Sequence, residues 1–192
     1  MNNSKTAKNL RALCESAILV ALSVVLTLLR FPPFNIDLWG NGGSIDFVMV
    51  PLVVLAWRRG VVWAVPAGLA FGFLKCLISG GIGWGLLSVL LDYVLAYGAV
   101  GLAGLFMDKK YGLVLGAVVG SFARFIVHFI SGITIWKIAV GDEVELFGMA
   151  FDSSASVVYS LLYNGGYMLG NMIFCVAAVI LLAKPLSKLP KK

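Results

Sequence analysis

The sequence predicts an all-α membrane protein, a bundle of six transmembrane helices with both termini in the cytoplasm. Two observations carry this. Of 192 residues, 60% are hydrophobic and only 12% charged, where a soluble domain carries ~25% charge. The apolar residues also fall in blocks near ~20 residues, the length of helix that crosses a bilayer, and the cations gather between alternate blocks.

The first span covers residues 12–29 and stops at Arg30 and the Pro32-Pro33 pair, because proline lacks an amide proton and clashes with the turn before it. Its basic start followed by an apolar run has the outline of a signal peptide. The run is long, however, and RFPPFN follows it rather than a small-residue cleavage site, so it is expected to remain as a helix. The second span, 45–57, is short and ends at Arg58-Arg59. The third, 61–79, runs into the glycine-rich turn SGGIGWG. The fourth, 86–106, ends before Asp108-Lys109-Lys110, and the fifth covers 112–136. A polar loop, KIAVGDEVELFGMAFDSSAS, precedes the sixth span, 157–183, and a basic tail. No internal repeat interrupts this pattern, so residues 1–192 are expected to form one membrane domain.

Charge placement sets the orientation. Lys5, Lys8, Arg11, Arg58, Arg59, Lys109, Lys110, Lys184, Lys188, Lys191 and Lys192 all fall on one side of a six-span chain. The other side keeps Arg30 and Lys137, with Asp37, Asp142, Glu143, Glu145 and Asp152. Cytoplasmic loops are the ones enriched in lysine and arginine, so both termini are expected inside. The net charge of +6 is then a topology signal, and no nucleic-acid partner is expected. Cys14, Cys76 and Cys175 are odd in number and fit no metal spacing, so they read as small packing residues.

Lys75, Asp92, Arg124 and His128 lie inside spans. An ionisable group near the bilayer centre costs ~2.5–3.5 kcal/mol even on the lenient insertion scale, so such residues face a cavity or one another. Counting 1.5 Å per residue from the outer helix ends puts Asp92 at ~9 Å depth, His128 at ~12 Å and Asn164 at ~10 Å. Arg124 is four residues before His128 and shares its face. Tyr93, Tyr159 and Tyr163 lie at similar or shallower levels, and Trp84 and Trp136 mark outer helix ends. Polar groups converging from several helices at one level describe a small-molecule site open to the outside. A carboxylate, an amide, an imidazole and flat aromatic faces suit a flat, nitrogen-rich, cationic ligand.

Plainer readings exist for each. An Asp92–Arg124 ion pair could simply lock spans four and five. The aromatics could form an interfacial belt. Lys75 is expected to snorkel toward the outer surface. Catalysis is a poor fit. The chain shows no recognisable catalytic serine–histidine motif, no H-E-x-x-H and no phosphate-cradling loop, and no cofactor or metal is expected.

The stretches VPLVVLAWRRG, LLDYVLAYGAVGLAGLF, ARFIVHFISGITIW and VVYSLLYNG together resemble the thiamine-specific substrate-binding component of energy-coupling factor (ECF) vitamin transporters, over nearly the whole chain. The resemblance implies six helices, no enzymatic activity, and capture of thiamine from outside the cell at the plasma membrane. It implies that Asp92 pairs with the aminopyrimidine ring and that Tyr93 lies beside it. Arg124, His128 and Trp136 match the helix-five pattern, the latter two lining the thiazolium side, and Tyr159 and Asn164 match helix six. Trp39 is the candidate tryptophan of the capping first loop, and Trp84 stands near a family tyrosine. Ala17 and Ala21, small residues four apart, either pack inside the bundle or dock the membrane coupling subunit, as the family's alanine motif does. Partners implied are that subunit, ABC-type ATPases and the lipid bilayer. The family usually has Glu at Asp92 and Lys at Arg124, and its first loop is shorter. These departures leave a close thiamine analogue or a precursor as alternative ligands, and another heteroaromatic vitamin on the same scaffold is the further alternative. A membrane protein whose polar core is only structural is the alternative of a different class.

Overall fold

A long apolar segment in lipid becomes a helix because only there does every backbone amide find a partner within its own segment. The computed structural model describes residues 3–39, 42–139, 144–146, 149–151 and 155–189. Its helices are α1 (Asn3–Leu28), α2 (Met49–Arg59), α3 (Val61–Ser79), α4 (Leu86–Phe106), α5 (Gly112–Ala139) and α6 (Ser156–Ser187). Five of them, all but α2, are long and apolar enough to cross a membrane. Helix α1 begins well before residue 12, because the polar stretch NSKTAKNLR continues the helix beyond its apolar part.

The α1–α2 and α5–α6 connections hold hairpins that hydropathy alone did not reveal. Strand β1 (Asn35–Trp39) pairs antiparallel with β2 (Gly42–Asp46), matching Asn35 to Asp46 and Asp37 to Ser44. Strand β3 (Val144–Leu146) pairs with β4 (Met149–Phe151). Each pair satisfies its backbone groups mutually in a segment too polar to enter lipid.

Helix α2 explains why an 11-residue helix survives here. It is apolar on all sides, and Met49 through Trp57 are all buried, so the surrounding helices take the place of lipid around it. Phe71, Tyr97, Val100, Ala117, Met168 and Val179 belong to the same core. Helix α1 is the reverse of a soluble helix. Leu10, Ile18, Leu22 and Val25 are exposed, whereas Ala12, Ser16, Ser23 and Thr27 are buried. Small and hydroxylated residues belong at a helix interface in lipid, where they allow close approach and interhelical bonds. Ser23 Oγ donates to the Val48 carbonyl at 3.0 Å and so ties α1 to the start of α2. Glu15 of α1 is held between Arg58 and Arg59 of α2, with Arg59 Nη2 2.6 Å from Oε2.

Helices α3 and α4 touch backbone to backbone. A Cβ at Gly68 would collide with the Tyr97 carbonyl, and one at Gly72 with the Tyr93 carbonyl. Absence of side chains at these two positions lets α4 bring its polar residues against α3.

Candidate functional site

Helix α4 is irregular where its carboxylate sits. Val89–Leu95, which contains Asp92 and Tyr93, forms a π-helical turn between α-helical segments. Such wide turns recur at functional sites because they re-aim side chains that a regular helix would direct elsewhere. Ser88 Oγ donates to Asp92 Oδ2 at 2.8 Å, and His128 Nδ1 lies 3.2 Å from Oδ1. The Asp92 side chain nonetheless stays 27% exposed.

His128 and Arg124 project from one face of α5, both nearly buried. Arg124 Nε donates to His128 Nε2 at 3.2 Å. A guanidinium can only donate, so Nε2 accepts and the imidazole proton sits on Nδ1, directed at Asp92. The result is a relay of one orientation, from Arg124 through His128 to Asp92. The direct Asp92–Arg124 pair weighed from the sequence does not form, because the imidazole stands between them. The guanidinium also lies 4.2 Å from the centre of the Tyr97 ring, a cation–π contact strengthened by burial. Arg124 Nη1 and the Tyr97 hydroxyl are buried without a partner among the described residues.

From α6, Asn164 donates to the His128 carbonyl at 3.2 Å and to Ser160 Oγ at 3.1 Å, and accepts from the Tyr167 hydroxyl at 3.0 Å. Its amide is thus largely engaged in fixing α6 to α5 beside the relay. Tyr159 stacks on Tyr163 with centroids 5.6 Å apart, Tyr163 meets Tyr167 edge-on at 5.8 Å, and Tyr167 meets the His128 ring at 5.7 Å. This ladder of tyrosines, one per turn, runs along the N-terminal half of α6 to the imidazole. Tyr93 is half-buried, with its ring over Gly81 in the α3–α4 turn.

The structure therefore brings Asp92, Arg124, His128 and Asn164 into one hydrogen-bonded group, with Tyr159 joined to it through the ladder. The backbones of Trp39, Trp84 and Trp136 lie at the end of β1, in the 3₁₀ turn Gly81–Trp84 and in the last turns of α5, but their side chains lie outside the described residues. Ala17 and Ala21 are on the exposed side of α1, away from the bundle core.

One expectation is overturned. Lys75 does not snorkel outward. Its Nζ is 2.7 Å from Asp46 Oδ2 and 5.2 Å from the Tyr97 ring centre, with the side chain only 13% exposed. A buried carboxylate within reach offers the ammonium more than a path to the surface. Sequence reading also missed Ser88, Tyr167 and Asn171. Ser88 is four residues before Asp92 and Tyr167 four after Tyr163, a same-face spacing that was readable. Asp46 carried no such signal, lying at the edge of an apolar block.

Three comparisons with known proteins bear on the chain. The family model described as Thiamine transporter protein (Thia_YuaJ) matches residues 13–191. The Thiamine transporter ThiT of Bacillus subtilis (strain 168) is 31% identical over 196 residues, covering 95% of this chain and 93% of that protein. Its counterpart in Lacticaseibacillus paracasei is 28% identical over 188 residues, covering 90% and 86%. A solved structure titled "Native-SAD phasing for ThiT from Listeria monocytogenes serovar" superposes with a TM-score of 0.76 at 24% identity, over 93% of this chain and 96% of that one. At that identity the likeness establishes the fold.

Proposed function

The chain belongs to the thiamine transporter protein family, and on that premise we propose that it captures thiamine outside the cell as the substrate-binding subunit of an ECF-type importer. It is a transport protein rather than an enzyme. In this reading residues 1–192 form one domain of six helices in the plasma membrane, with α2 as the short one, both termini cytoplasmic and the site facing outward. A membrane coupling subunit and ABC ATPases supply the energy, and the exposed Ala17 and Ala21 dock that subunit.

One observation carries the assignment of the site. Asp92 is the end of a buried relay that starts at Arg124, yet it keeps an open side. A partly buried, polarised carboxylate with spare acceptor capacity is suited to a charge-assisted bond with an aminopyrimidine. The tyrosine ladder from Tyr159, with Tyr93, Trp39, Trp84 and Trp136, supplies aromatic faces for the two rings and for the thiazolium charge. Arg124 and His128 hold Asp92 in its acceptor role, and Asn164 holds His128 in place.

Asp92 in place of the longer Glu supports a second ligand reading, a thiamine precursor or another heteroaromatic vitamin. Mass spectrometry of the denatured, freshly purified protein decides between them. Thiamine is the expected release product, whereas flavin, biotin or a bare pyrimidine would reassign the ligand. Titration with thiamine, followed by quenching of tryptophan fluorescence, should then saturate at one equivalent.

A further inference from the structure

The β1–β2 hairpin is tied at its base to helices distant in sequence. Asn171 of α6 is 1% exposed. It donates from Nδ2 to the Ser44 carbonyl at 2.8 Å and accepts at Oδ1 from the Asp46 amide at 3.1 Å. The carbonyl of one strand residue and the amide two residues on lie along the same strand edge, so this one side chain replaces a neighbouring strand. Asp46 uses both carboxylate oxygens. Oδ1 accepts the Val48 amide at 3.2 Å, at the entry to α2, and Oδ2 meets Lys75 Nζ of α3 at 2.7 Å. Between these ties Ile45 is seated against Gly170, where a Cβ would collide with it. Phe47 packs on Phe34 and Phe174, at 6.4 and 5.3 Å.

These ties end next to the ligand group. Lys75 and Arg124 both approach the ring of Tyr97, and Arg124 begins the relay to Asp92.

A two-stranded hairpin is marginal by itself in water. A buried ion pair adds little net stability compared with apolar residues of the same size, and its best-attested use is to specify one arrangement. We propose that Asp46, Lys75 and Asn171 are positioning residues for ligand capture. They fix the base of the hairpin, and with it the strand ending in Trp39, at one place relative to the Asp92–His128–Arg124 relay. The inference rests on the reading of that relay as the thiamine site. A hairpin held in place before the ligand arrives spares the ordering cost that a loose one pays on binding.

The test uses the full-length protein in detergent. Lys75→Met and Asp46→Asn each strand a buried group, so each alone should melt lower. The double variant Asp46→Asn/Lys75→Met removes both charges and should regain most of the melting temperature. Its thiamine affinity should nevertheless stay about tenfold weaker, through faster release, because the hairpin has lost its tie to α3. Lys75→Arg keeps the charge and should retain most of the affinity. A spin label on Leu38→Cys, in a Cys14→Ser background that leaves only the two buried cysteines, should become more mobile in the double variant without any ligand present. Recovery of affinity along with stability, or an unchanged label spectrum, overturns the proposal. If the unaltered protein binds no thiamine, the ligand assignment fails, and the label spectrum alone decides the anchoring role.

Discussion

Two clusters of acidic and basic side chains sit in different parts of the bundle. In one, Glu15 of α1 is gripped by Arg58 and Arg59 of α2. In the other, Asp46, Lys75, Arg124, His128 and Asp92 form two linked groups around Tyr97. The first is a closed clamp, one carboxylate against two guanidiniums, and it joins two consecutive helices. The second is extended. It draws on three helices and a hairpin, inserts a histidine between arginine and carboxylate, and leaves one side of Asp92 open. Arginine beside a carboxylate therefore does not by itself mark a ligand site. The proposed ligand role of Asp92 rests instead on a carboxylate that is held and not exhausted.

The sharpest way to break this comparison is to alter each cluster's carboxylate. Asp92→Asn should cost the site a charge-assisted bond of about 1.5–3 kcal/mol, or about 10- to 150-fold in thiamine affinity. Stability should change less, because the amide is nearly isosteric and the imidazole still stands between it and Arg124. Fluorescence titration alongside a thermal melt measures both, and wild-type affinity in a stable variant would falsify the role given to Asp92.

Glu15→Gln should do the opposite. It leaves two guanidiniums facing a neutral amide, and the lost charged bonds amount to about 1.5–3 kcal/mol of stability at most, reduced by the partial exposure of the clamp. Thiamine affinity of the folded fraction should be unchanged. A loss of affinity without a loss of melting temperature would show the two clusters to be coupled.

The smallest effect is expected from Tyr167→Phe. It removes the hydroxyl bonded to Asn164 while keeping the ring against His128. The expected cost is about 0.5–1.5 kcal/mol in stability, with a slight loss of affinity as Asn164 gains freedom. An affinity loss as large as that of Asp92→Asn would move Tyr167 from the support of the site into contact with the ligand.

Much of the site was legible one helix at a time. Arg124 and His128 are four apart and share a face of α5, which helical period alone requires. The common depth of Asp92, His128 and Asn164 follows from rise per residue once the spans are drawn. Cross-helix pairing was not legible. Lys75 was expected to reach outward, as a long cationic side chain in a span can. The partner, Asp46, ends a hairpin strand at a position that hydropathy places at the start of the second span. Nothing in VLLDYVL distinguishes a π turn from a regular one, since its apolar residues fit either.

By itself the sequence determined that this is a membrane bundle, because a chain so apolar can satisfy its backbone only as helices. It also put a few polar residues at one common depth, and four of its stretches carry the resemblance to the family that the comparisons establish. Only the tertiary structure decided who pairs with whom. The distance and rotation between helices depend on packing, as where Gly68 and Gly72 let α4 close on α3, and small changes there choose between neighbours a few ångströms apart. That choice put His128 between Arg124 and Asp92 and turned Lys75 inward to Asp46.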